Sequence, residues 1–343
     1  MTIHAQQLPR SPRDLALALG GWRLALGGAA LVAALALLWL WLESGWQPRY
    51  SRQVVLGLSS GSLYALLALA IVLIYRSTAV VNFAQGEMAT FSTFIAWSLL
   101  QAFGDDTASV WLVTGLTLAI GFAIGAGLEL AVIRRVEHRS ALNAAVIAIA
   151  LFLVFNSVTS WIYGAEPKPV PSIFGTGSVT LGDVTVSVHA LGTVGAAGAV
   201  MGAMFLVFRF TQLGLAMRAA AEDPVAARLM GVRVGRMLTL GWGLSAAVGA
   251  LAGVLIAQSL NLSPILMFDI LLFALAASVL GGMTSPGGAV LGGLVVGVAQ
   301  NVLGVTDALG GTQLRLFWAF AFILLVLVAR PSGLLGGGRA RRL

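Results

Sequence analysis

Three carboxylates fall inside or beside long apolar runs: Glu87, Glu129 and Asp269. An acid at membrane depth is costly, so each is a candidate for an ion or solute path. Glu129 lies about one turn from the end of its run, near Arg134 and Arg135, and reads first as half of a snorkelling ion pair. Asp269 lies near the start of its run and reads first as a helix-end residue. Glu87 belongs to Asn82-Phe83-Ala84-Gln85-Gly86-Glu87, which follows Arg76 and concentrates three polar side chains. Asn82 as an N-cap would set Gln85 and Glu87 in the first turns of a helix. A polar lining of a path accounts for the same residues, and both readings stay open. Asn82, Phe83, Gln85, Gly86 and Glu87 are therefore candidate path residues.

Two other segments carry polar or conformational chemistry. Gly281-Gly282 and Gly287-Gly288 bracket Ser285-Pro286, which predicts a tight turn or a broken helix. Broken helices in membranes are tolerated where they face protein or a water-filled cavity, so Gly281, Gly282, Ser285, Gly287 and Gly288 join the candidate path. In 210–237, Asp223 reads as an N-cap, Pro224 as the first helical residue and Gly231 as the stop. This predicts a short helix over 224–230 that exposes Arg228, with Glu222 and Asp223 beside it. It is either a connector or a rigid knob that docks on another protein.

Catalytic chemistry is missing. The chain has a single Lys, Lys168, in a Pro-rich segment, so no G-x-x-x-x-G-K-[ST] phosphate loop is possible. His4, His138 and His189 are far apart, there is no H-E-x-x-H or G-x-S-x-G, and without Cys there are no thiolate metal sites. No metal site is predicted.

The elements that would position these residues are membrane helices. Of 343 residues, 59% are hydrophobic and 10% are Asp, Glu, Lys or Arg, against roughly 25% charged in soluble domains. A spanning helix needs roughly 20 mostly apolar residues. Segmentation predicts an all-α membrane protein with about ten helices, at 22–42, 53–75, 82–102, 108–132, 141–163, 190–209, 237–259, 265–281, 287–305 and 313–330. The helix beginning near Asn82 could be a half-helix. With both termini cytoplasmic, 16 of the 20 basic residues fall inside, leaving Arg49, Arg52, Lys168 and Arg315 outside. The net charge of +7 is thus a topology signal rather than a nucleic-acid footprint. The run at 22–42 is too long for a signal-peptide core and reads as an uncleaved first helix. Residues 1–343 form a single transmembrane domain, with 1–50 as an extra N-terminal helix and 164–189 as the longest outer loop. There, Val179-Thr180-Leu181 and Val184-Thr185-Val186-Ser187-Val188 flank Gly182-Asp183, predicting a small β-hairpin that caps a loop or meets an extracytoplasmic partner. Small-xxx-small pairs occur at Gly57/Gly61, Gly121/Gly125, Gly198/Gly202, Gly249/Gly253, Gly288/Gly292 and Gly293/Gly297, a helix-packing pattern.

Four ordered segments resemble the permease subunits of branched-chain amino acid (Liv-type) ABC importers. They are Gly61–Leu66 leading into Asn82–Glu87; Arg218–Asp223 continuing through Ala226–Val232; Leu280–Ala289 with Gly292-Gly293; and Arg330–Gly336. The first is similar to an asparagine-phenylalanine-alanine-histidine-glycine-glutamate signature, with Gln85 where His is usual. The second is similar to the cytoplasmic coupling loop of such importers. The resemblance implies an inner-membrane transport subunit, not an enzyme, with no cofactor of its own. ATP and Mg would sit on two partner ATPase chains. A second, different permease and an extracytoplasmic solute-binding protein would complete the assembly, with lipid around it. Arg218, Glu222, Asp223, Pro224, Ala227, Arg228 and Gly231 would form the ATPase-coupling surface. Related systems carry urea, short amides or aromatic acids. A competing reading is an ion-coupled secondary transporter with Glu87 and Glu129 as relays. A membrane-embedded enzyme lacks any nucleophile–base or metal set.

Overall fold

The computed structural model describes residues 48–335 except 79–80, 105, 137–140, 176, 182–183, 306–310, 315, 319, 322–323 and 325–332. The expected first helix at 22–42, the Gly182-Asp183 turn and most of the last expected helix at 313–330 lie outside these residues.

Among the described residues ten α-helices and one hairpin follow in chain order: α1 Pro48–Thr78, α2 Gln85–Phe103, α3 Thr107–Leu128, α4 Ala141–Tyr163, β1 Ser178–Leu181, β2 Val184–Ser187, α5 Val188–Phe210, α6 Gln212–Glu222, α7 Pro224–Leu229, α8 Val234–Leu260, α9 Leu266–Gly281 and α10 Pro286–Gly304. Past Leu128, α3 continues through a π-turn, Glu129–Ile133, to Val136. Among the described residues six helices are long and apolar enough to cross a membrane: α1, α3 with its extension, α4, α5, α8 and α10. α9 is shorter. The two strands pair antiparallel, with Val179 opposite Val186 and Thr180 opposite Thr185. The hairpin marks one end of the bundle, and α6–α7 mark the other.

α1 and α8 are apolar all round and form the centre, each with 83% of its spanning window buried. α4 and α5, at 11%, sit at the rim. Glycine sets the helix spacing. A Cβ on Gly57 would stand 2.6 Å from Val298 Cα, and Gly61 and Gly297 meet backbone to backbone, so α1 and α10 cross in direct contact. Gly121 and Gly125 of α3 meet α8, Gly249 and Gly253 of α8 meet α2, and Gly288 and Gly292 of α10 meet α9. The remaining pair, Gly198/Gly202 on α5, has no atom of the described chain within 4 Å of its Cβ positions.

Caps follow the expected grammar in most places. Ser285 Oγ accepts from Gly288 N, and Pro286 opens α10. At α3, Asp106 accepts from Ala108 N, Ser109 N and the Ser109 hydroxyl, and these bonds hold its carboxyl below the usual Asp range. Past the bundle, Leu334 N and Leu335 N bond the carbonyls of Leu280 and Gly281, which pins the tail to the end of α9.

Two expectations are corrected. Asn82 does not cap a helix. Its Oδ1 accepts from Ala84 N two residues on, and α2 begins only at Gln85, after Ala84, with no side-chain cap. Glu129 does not snorkel. The expected ion pair with Arg134 forms, at 2.9 Å, but Glu129 is 1% exposed at the start of the π-turn, and Arg134 reaches back to it.

Candidate functional site: a buried polar start, a polar cavity and an exposed short helix

The start of α2 lies inside the bundle. Gln85 is fully buried, and its Nε2 donates to the Ser245 carbonyl, 3.1 Å away in the middle of α8. Ser245 Oγ donates to the Ala70 carbonyl of α1 at 2.7 Å and also faces Gln85 Oε1 at 3.3 Å. Gly249 leaves the room this needs, since a Cβ there would stand 2.5 Å from Gln85 Nε2. Gly86 brings α2 against Met267 and Leu271 of α9. Glu87, 1% exposed, accepts from Asn156 Nδ2 at 3.2 Å, and the same nitrogen donates to the Pro264 carbonyl in the α8–α9 turn. Helices α4, α8 and α9 thus meet Gln85, Gly86 and Glu87, and Ser245 links them to α1. Phe83 alone of this segment's large side chains is exposed.

The glycine segment lies elsewhere. Gly281 and Gly288 press backbone on backbone, Gly282 takes φ +107° to turn the chain after α9, and Ser285 and Gly287 begin α10. These residues close a tight α9–α10 corner.

At the hairpin end, α1, α5, α8, α9 and α10 surround an open cavity of about 550 Å³. Its polar wall includes Ser59, Ser60, Tyr64, Ser259, Asp269, Gln300 and Asn301. Tyr64 and Phe273 also line it, their rings stacked at 5.2 Å. The sequence reading missed this cavity, apart from treating Asp269 as a helix-end residue. The available signal was Ser59-Ser60 and Gln300-Asn301, adjacent polar pairs inside apolar runs.

At the opposite end, Asp223 Oδ1 accepts from Val225 N and Ala226 N, Pro224 opens α7 and Gly231 closes the turn at φ +83°. Ala227 is buried with Ala220, Val234 and Leu238, so α7 is fixed to α6 and α8. Its outer surface is apolar: Val225 is 66% exposed, and Leu229 and Met230 are each 84% exposed. Glu222, Asp223 and Arg228 are exposed around it, while Arg218 packs beside Arg76 against the end of α1.

A profile of the family "Branched-chain amino acid transport system / permease component" matches residues 53–329. The chain belongs to this family. The permease protein LivH of the high-affinity branched-chain amino acid transport system of Salmonella typhimurium is 30% identical over 298 residues, covering 84% of this chain and 96% of LivH. BraD of Pseudomonas aeruginosa, from a system of the same description, is 30% identical over 297 residues, with the same shares. A probable LivH from Methanocaldococcus jannaschii is 28% identical, over 80% of this chain and 89% of that protein. The chain is therefore a multi-pass membrane permease component, and the buried polar start, the cavity and the short helix are features of a transport subunit.

Proposed function

We propose that this permease component serves an ABC importer of branched-chain amino acids, in the bacterial inner membrane. Its whole length acts as one permease domain with about ten membrane helices. Both termini, like the coupling loop 210–237, are cytoplasmic, and the hairpin loop 164–189 is outside. Two ATPase subunits hydrolyse ATP and bind Mg, a second and different permease completes the membrane pair, and a solute-binding protein delivers substrate at the hairpin side. The observation that carries this reading is α7. It is a short, tightly capped helix fixed by Ala227 yet presenting Val225, Leu229 and Met230 to solvent. Exposed apolar side chains on a rigid base, ringed by charge, fit a docking surface.

The experiment replaces Asp223-Pro224 with Gly-Gly. A six-residue helix cannot persist without its cap and its pre-set φ. Loss of both ATPase co-purification and ATP-dependent uptake is expected; retention of both overturns the docking assignment.

Asn82, Phe83, Gln85, Gly86 and Glu87 then lie on or beside the translocation path, and the corner formed by Gly281, Gly282, Ser285, Gly287 and Gly288 moves with it. Glu87→Gln keeps the size of the side chain and an acceptor for Asn156. Assembly should survive, while uptake falls about tenfold or more, read as initial rates in vesicles. Uptake at the wild-type rate would make Glu87 a purely structural residue. The exposed apolar surface of α7 supports a partner-driven importer, and no observation favours an ion-coupled transporter.

A further inference from the structure

The hairpin-side cavity has more hydrogen-bonding capacity than its own walls use. Tyr64 OH donates to Gln300 Oε1 at 2.6 Å, which fixes that amide and leaves its Nε2 without a protein acceptor among the described residues. Asn301 Nδ2 donates to Ser60 Oγ at 2.7 Å and to the Gly297 carbonyl at 2.9 Å, and its Oδ1 has no donor among the described residues. The Ser259 hydroxyl and the Asp269 carboxylate likewise have no hydrogen-bond or ion-pair partner among the described residues. Asp269 is exposed, and among the described lining residues it is the one Asp, Glu, Lys or Arg. Next to these groups stand Leu63, Ile256, Ile270 and Phe273. About 550 Å³ falls within the range of small-molecule sites, roughly 300–1,000 Å³.

An exposed carboxylate attracts a cation and repels a simple anion. The spare donors, however, suit a carboxylate, and the apolar wall suits a hydrocarbon chain. We propose that this cavity binds a zwitterionic aliphatic α-amino acid within the permease itself. The ammonium group sits on Asp269 and Asn301 Oδ1, and the carboxylate is met by Gln300 Nε2 and Ser259. The chamber thereby rejects monocarboxylates and gives the permease a selectivity filter of its own. This deepens the transport reading above and rests on it.

The chain contains no Cys, so Ser59→Cys places one thiol on this subunit, in the cavity wall. In the assembled transporter in proteoliposomes, a membrane-impermeant methanethiosulfonate should modify it. L-leucine should slow that modification, and 4-methylpentanoate, which lacks the ammonium group, should not. Adding Asp269→Asn should raise the leucine concentration for half-protection about tenfold or more. A thiol that does not react, no protection by leucine, or equal protection by 4-methylpentanoate overturns the proposal. So does unchanged protection in the Asp269→Asn variant. Should that variant fail to assemble, the leucine and 4-methylpentanoate comparison on native Asp269 decides. Leucine uptake by the unmodified complex separates the two levels. If uptake is absent, the substrate reading fails; if it is present without protection, only the chamber fails.

Discussion

Replacing Leu229 and Met230 together by Asp is expected to uncouple transport while leaving the permease folded. Both side chains are 84% exposed, so the folded chain has little to lose, about 0.5 kcal/mol or less per site. An apolar anchor at the centre of a docking surface contributes about 2 kcal/mol or more. Two of them replaced by charges should weaken ATPase association about a thousandfold. Size-exclusion profiles of the permease in detergent should match the parent, whereas ATPase chains should no longer co-purify and ATP-driven uptake should fall to background. Co-purification at the parent level would mean that α7 is a connector after all. The double substitution complements the Gly-Gly replacement at Asp223-Pro224, because it leaves the helix intact and removes only its surface.

The second large effect is expected at the crossing of α1 and α10. Gly297 lies against the backbone of Gly61 and the Gly57 carbonyl, and neither can yield as a side chain would. Gly297→Val should therefore force the two helices apart and cost about 3 kcal/mol or more, at the upper end of overpacking effects. Its measure is the folded, monodisperse fraction recovered in mild detergent and its thermal midpoint. Gly198→Ala is the matched control. A Cβ at that position meets no described atom within 4 Å, so the substitution should leave both readings where they are. Equal losses for the two variants would show that glycine number, rather than backbone contact, governs packing.

The helices were legible because their cause is local. An apolar run between charges predicts a span whatever packs on it, and 141–163 coincides with α4. The short helix was legible for the same reason: Asp223, Pro224 and Gly231 each act on backbone groups within a few residues. What failed depended on distant partners. Asn82 has the chemistry of a cap, but Gln85 is drawn toward Ser245, 160 residues away, and the helix starts where that bond allows. Glu129 sits in a π-turn whose inward rotation is fixed by Thr239, 110 residues on. The cavity was invisible because Ser60 and Asn301, 241 positions apart, look inconsequential until α1 and α10 are side by side.

The clasp at the π-turn has a mechanical consequence. Glu129 takes hydrogen bonds from Arg134 Nε at 3.0 Å and from Thr239 Oγ1 at 2.6 Å, and Arg134 also donates to the Gly235 carbonyl at 3.0 Å. These bonds rivet α3 to the first turns of α8, the helix that follows the α7 knob. α8 is a rod of 27 residues, about 40 Å long, held on most sides. On the docking role proposed for α7, a partner's push on it is carried along α8. It enters the rod at Val234, is shared with α3 through the rivet, and arrives at Ser245 about 16 Å further along, where Gln85 grips it. On that reading the molecule carries a drive shaft from α7 to the polar start of α2, with its bearing at Glu129.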